Sequence, residues 1–167
     1  MTPLAERLPA NIEHAAATPW PEVARRLGDG RWYWLATISR DGRPHVRPVL
    51  AVVLDDVAYF VANAASRKAH NVALSPVASL STAVEDAHVI VEGTASIERD
   101  PAALERVAHA YATKYAWHVR VQHGAFDADY GAPTAGPPPY DVYALRPRTV
   151  HAFGVTENFS PTRYRFS

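Results

Sequence analysis

Three apolar runs joined by turns of four and two residues dominate the first half of the chain and leave it little choice of fold. "RWYWLATIS" (31–39), "PHVRPVLAVVL" (44–54) and "VAYFVA" (57–62) are rich in aromatic and β-branched residues. Asp41-Gly42 separates the first two runs, and Asp55-Asp56 separates the second from the third. Turns this short join antiparallel neighbours, because a parallel return needs a crossover of a dozen or more residues. Two further strands are predicted at "VASLSTAV" (77–84) and "AHVIVEGTASIE" (87–98), with a bulge suggested by Gly93. After the Pro/Gly-rich loop 131–141, "DVYALRP" (141–147) and "TVHAFGV" (149–155) read as a last hairpin.

Helices account for much of the rest. Leu4 and Leu8 mark a first short helix, and Val23, Ala24 and Leu27 a second, both within 1–28. Asp100-Pro101 is a cap followed by proline at the first helical position, and it opens a helix over 100–115. Leu104, Val107, Ala108, Tyr111, Ala112 and Tyr115 lie along one face of that helix. A chain of 167 residues fits one domain with a real core. The expected architecture is mainly β with flanking helices: a six- to seven-stranded antiparallel barrel, its main strands in 31–98 and its last hairpin in 140–155.

One short helix carries an anomaly. In "NAASRKAHNVALSP" (63–76), Ser66 is the N-cap and Pro76 the stop, yet the first two helical residues are Arg67 and Lys68. A helix N-terminus is the positive end of the macrodipole and presents unsatisfied N–H donors, so cations there are unfavourable. General basicity does not explain them, because Lys plus Arg equals Asp plus Glu at 17 each. That balance also argues against nucleic acid or an anionic membrane as partner. Arg47 is held extended by Pro48, which itself marks a strand edge or bulge. In a meander Arg47 falls near the Ser66–Lys68 turn, and three cations around free N–H groups make a site for a phosphate.

At this point "GRPHVRPVLAV…VAYFVANAASRKAHNVALSPVASL…HVIVEGTASIERD" resembles the pyridoxamine 5'-phosphate oxidase-like flavin-binding split barrels. The likeness is good over about 31–115, and its most specific element is "SRK" about twenty residues after an Arg. The resemblance implies an FMN-binding split β-barrel, a homodimer with the cofactor at its interface, and an oxidoreductase acting on a small molecule. A branch of the family uses the deazaflavin coenzyme F-420 instead. It further implies that Arg47, Ser66, Arg67 and Lys68 bind the cofactor phosphate. Pro48, Val49, Val61 and Asn71 fall at cofactor contacts, Val49 and Val61 towards the ring and ribityl chain. His88 stands where the biosynthetic oxidases carry a Gln near the flavin, and it is the titratable candidate on the ring side.

The chain also departs from those oxidases. Phe153 stands in place of their Trp in the last hairpin, and "NFSPTRYRFS" lacks a clear counterpart of their Arg-His substrate pair. An apolar, uncharged substrate is therefore expected, bordered by Trp117, Phe126, Tyr130 and the Pro-rich loop. The rival expectation is a non-catalytic protein that holds flavin, deazaflavin or haem on the same barrel.

Other chemistries find little support. There is no cysteine, which removes disulfides and thiolate sites. His118, His123, Asp127 and Asp129 are close in sequence without a metal-ligand spacing. No G-x-S-x-G or G-x-G-x-x-G occurs. The N-terminal stretch lacks an apolar run of signal-peptide or membrane-span length, so a cytoplasmic protein without a membrane partner is expected.

Overall fold

The computed structural model describes residues 2–9, 16–84, 86–131, 135–155 and 160–167. Its first element corrects the sequence expectation. Leu4–Arg7 form a strand, β1, and not a helix, pairing antiparallel with β11 (Thr162–Arg165). All four β1 side chains are exposed, so this segment offers a helix no apolar face to bury. The open edge of β11 decides its conformation. Of the two expected helices only the second forms: α1 (Trp20–Asp29), burying Trp20, Val23 and Leu27.

β2 (Tyr33–Ile38) and β3 (Pro44–Val49) pair across Asp41-Gly42, where Gly42 takes φ +78°. β4 (Ala51–Leu54) and β5 (Val57–Asn63) pair across Asp55 and Asp56, both left-handed at φ 50° and 65°. The run 44–54 is thus two strands, broken at Leu50. Pro48 has no N–H to offer a second neighbour, and the Leu50 carbonyl accepts instead from the Tyr111 hydroxyl at 3.0 Å. This break splits the barrel. β3 keeps one edge free, and α2 (Arg67–Leu74) packs on β2 and β5 beside it.

β6 (Val77–Val84) and β7 (Ala87–Ile97) form as expected, and α3 (Pro101–Tyr115) follows. Asp100 caps α3, its carboxylate accepting from Ala103 N at 2.8 Å. β8 (Arg120–Gln122) and β9 (Ala125–Asp127) make a small hairpin turning on His123 and Gly124. The predicted last hairpin is instead one continuous strand, β10 (Tyr140–Gly154). It pairs with β7 along nearly its whole length, while its other edge serves β5 first and then β11. Pro147, the last residue of the first run of that hairpin, sits where β10 changes its second neighbour, beside a register shift between Pro147 and Thr149. The bulge that Gly93 suggested therefore lies on the partner strand.

The strand order is β1-β11-β10-β7-β6-β2-β3, with β4, β5, β8 and β9 branching from β10. The eleven strands among the described residues exceed the expected number through short edge elements. The barrel interior is filled by Leu35, Phe60, Leu80, Val91, Leu145 and Val150 together with α1. A second core joins α3 to the outer side of β4, β5 and β10 through Val52, Val61, Leu104, Val107, Tyr111 and Val142. Among the described residues no helix is long and apolar enough to cross a membrane.

Candidate functional site

The start of α2 is built as the sequence predicts. Ser66 is extended at φ −72° and ψ 149°, and its Oγ accepts from Ala69 N at 3.3 Å. Asn63 fixes the approach: its carbonyl accepts from Ser66 N at 2.9 Å and its Oδ1 from Ala65 N at 2.8 Å. Arg67 and Lys68 therefore occupy the first two helical positions, where the N–H groups have no partner inside the helix. Replacing Ser66 with Ala removes the cap and is expected to cost about 1 kcal/mol in denaturant unfolding; an unchanged midpoint would show the cap to be idle.

The free edge of β3 faces this turn. His45, Arg47, Pro48, Ser66, Arg67 and Lys68 line one cleft of about 470 Å³. Arg26, Arg43 and Arg106 are each paired with a carboxylate, whereas Arg47, Arg67 and Lys68 form no ion pair among the described residues. Among the described residues the Arg47 guanidinium donates to the Val46 carbonyl alone, at 2.7 Å. Burial, and then the charge of Arg47, holds the Lys68 ammonium below its ordinary pKa. Three cations and uncapped N–H groups are thus concentrated with no anion to balance them, an arrangement that suits a phosphate.

The remaining sequence candidates are placed less uniformly. Val49 is partly buried against the barrel core. Val61 is 6% exposed and its side chain packs in the α3 core, so its main chain is the part that can face a ligand. Asn71 is buried and donates to Thr37 Oγ1 at 2.9 Å, tying α2 to β2 behind the cleft. His88 is not brought to this cluster. It sits on β7 level with Ala83 and Phe153, and β6 and β2 intervene before β3, a lateral separation of roughly 14 Å at sheet spacing.

Two features escaped sequence reasoning. His45, two residues before Arg47 on β3, shares its face and lines the cleft. Beyond Leu50 lies a second cavity of about 660 Å³, walled by Trp32, Leu50, Lys114, Tyr115, Trp117 and Tyr130. Of the residues expected to border a substrate, Trp117 and Tyr130 reach this cavity, whereas Phe126 is wholly buried and residues 132–134 of the Pro-rich loop lie outside the described residues. Lys114 donates there to Gly28 O, Tyr33 Oη and Ala51 O, and burial pushes its pKa down to about 8. Asp127 and Asp129 are both engaged by Arg120, at 2.8 and 2.7 Å.

Outside the barrel, the face of β3, β2 and β6 is unusually apolar. Trp34 is 44% exposed, Val46 46% and Val77 53%, and Ile38 joins them. Pro48 pairs with Trp34 and so belongs to this face as well as to the cleft.

No curated protein matches the chain. Solved structures share its fold. A conserved hypothetical protein of Mycobacterium tuberculosis is 23% identical with a TM-score of 0.67, covering 89% of this chain and 92% of that one. A NimC/NimA family protein of Clostridium acetobutylicum is 13% identical with a TM-score of 0.60, covering 87% and 91%. A pyridoxamine 5'-phosphate oxidase-related, FMN binding protein of Nostoc punctiforme is 19% identical with a TM-score of 0.54, covering 84% and 87%. The family model described as Pyridoxamine 5'-phosphate oxidase matches residues 20–154, from the first residue of α1 to the last of β10. Split barrel, cation cleft and matched span agree, and the chain belongs to the pyridoxamine 5'-phosphate oxidase family.

Proposed function

We propose that the chain is a flavin-dependent oxidoreductase holding FMN by its phosphate on Arg47, Ser66, Arg67 and Lys68, with the deazaflavin coenzyme F-420 as the alternative occupant. The convergence of three unpaired cations on the N-terminus of α2 carries this reading. A phosphate monoester supplies the two things this cleft lacks, negative charge and acceptor oxygens. When bound, a flavin supplies the hydride or electron transfer. The chain's own residues hold and orient it: Arg47 and Lys68 balance the phosphate charge, and the main chain from Pro48 to Leu50 leads towards the aromatic cavity. Trp32, Tyr115, Trp117 and Tyr130 give an apolar substrate a wall that excludes water.

The exposed face of Trp34, Ile38, Val46 and Val77 is assigned to a second copy of the chain. Because Pro48 belongs to both face and cleft, a partner packed there closes the open side of the cofactor site. The test is FMN titration by fluorescence quenching, light scattering at low and high salt, and turnover of uncharged quinones and enones beside pyridoxamine phosphate. The expected result is a dimer that persists at high salt, since apolar contact is not screened, with FMN bound and the apolar compounds turned over. A monomer binding FMN at full affinity removes the partner from the site. Exclusive turnover of pyridoxamine phosphate overturns the substrate class, and a haem spectrum without turnover favours a non-catalytic carrier.

A further inference from the structure

His45 is the titratable group in the cleft that the reading above leaves without a role. It is 9% exposed and stands directly opposite Thr37 across the β2–β3 ladder. Its Nδ1 lies 3.4 Å from Thr37 Oγ1, which also accepts from Asn71 Nδ2 at 2.9 Å. The Thr37 hydroxyl donates to the His45 carbonyl oxygen, also at 3.4 Å, so its oxygen turns a lone pair to Nδ1, and the ring hydrogen of the neutral imidazole is assigned to Nδ1. Nε2 has no hydrogen-bond partner among the described residues. Among the described residues the fully enclosed side-chain polar atom without a partner is Arg163 Nε, so His45 Nε2 keeps its access to the cleft.

Every charged group near that nitrogen inside the cleft is a cation. Arg47 faces it from β3, and Arg67 and Lys68 face it from α2. The adjoining cleft adds Arg40, Asp41 and Arg43, of which Asp41 and Arg43 are paired with each other. Burial first, and then Arg47, Arg67 and Lys68, holds the imidazole below its ordinary pKa, so in the free protein His45 is neutral near pH 7. A neutral Nε2 that only accepts has nothing to offer a phosphate oxygen. An entering dianion reverses the local field, and a protonated Nε2 becomes one more charge-assisted donor.

We propose that His45 is a further ligand of the anion held in this cleft, donating from Nε2 as an imidazolium, so that binding a phosphate dianion takes up one proton from solvent. The proposal rests on the assignment of the cleft to a phosphate. Its pH signature is separable from that of the ligand, because FMN's phosphate, with a second pKa of about 6, is already a dianion above neutrality. Between pH 6.5 and 8.5 the dissociation constant of FMN for the wild type rises about tenfold as His45 loses the proton it must hold; in His45→Gln it stays flat.

The deciding measurement follows the His45 imidazole resonance across pH in the wild-type protein alone, with saturating FMN, and with saturating inorganic phosphate. An upward move of its midpoint by one unit or more with both ligands, together with loss of the pH slope in His45→Gln, supports the proposal. FMN binding with an unmoved midpoint overturns the role of His45 and leaves the flavin assignment standing. A midpoint moved by inorganic phosphate, with no binding of FMN, keeps His45 as an anion ligand and overturns the flavin assignment. Binding of neither ligand overturns both. The wild-type resonance decides the matter even where His45→Gln fails to fold.

Discussion

Lys68→Ala is expected to weaken FMN binding tenfold to a hundredfold and to leave the free protein at least as stable as the wild type. The affinity change follows from the loss of one charge-assisted contact to a phosphate, worth about 1.5–3 kcal/mol. The stability half has the opposite origin. Without a bound anion, Lys68 is partly buried, has no ion pair among the described residues and is repelled by Arg47, so its removal relieves strain. Thermal melts separate the two effects. At about 100 times its dissociation constant, FMN adds about 2.7 kcal/mol to the wild type; a tenfold weaker site at the same concentration receives only about 1.4 kcal/mol. The free melting temperature should therefore hold or rise while the FMN-dependent increment falls by about half. If Lys68 is only a solvated surface cation, neither the increment nor the affinity moves, and the clamp is lost as an explanation.

The cation cluster at the start of α2 was legible in the sequence because its parts are local. A Ser cap, two cations on the first helical turn and an Arg before Pro are each contradictions of ordinary preference, and they share a resolution. The meander was legible for the same reason, since Asp41-Gly42 and Asp55-Asp56 determine their own backbone. What the sequence hid depends on distant partners. Leu4–Arg7 become a strand because β11 has an edge to satisfy. Pro147 stays inside a strand because β10 exchanges β5 for β11 at that point. His45 carries no signal of its own until Arg67 and Lys68 are brought to the same cleft, and the Asn71 amide, placed at a cofactor contact by resemblance, is engaged by Thr37. His88 belongs with the flavin by resemblance alone; the register of β6 and β7 sets it apart from the clamp within one chain.

The bulge in β10 gives the second large effect, because Gly93→Ala places a methyl group where main chain already is. A Cβ at Gly93 would overlap the Arg146 carbonyl oxygen and lie 2.9 Å from the Arg146 carbonyl carbon and 3.2 Å from Pro147 Cα. None of these atoms belongs to a side chain that can rotate away. Gly93 is also paired on both sides, with Ala78 of β6 and Pro147 of β10, so its own strand cannot retreat without breaking another ladder. Overpacking usually costs 1–3 kcal/mol, and overlap with β10 backbone in a strand paired on both edges argues for about 3 kcal/mol. In a domain of this size that lowers the melting temperature by roughly 6–12 °C. Gly28→Ala is the matched control. Nothing lies within 4 Å of its Cβ, and it is inside α1, so the exchange should stabilise by about 0.4–1 kcal/mol. Two glycine-to-alanine changes of opposite sign in one chain cannot come from unfolded-state entropy, which acts alike on both. A Gly93→Ala protein that melts with the wild type would mean that β10 yields at its bulge, and that Arg146 to Thr149 form a hinge and not a fixed corner of the barrel.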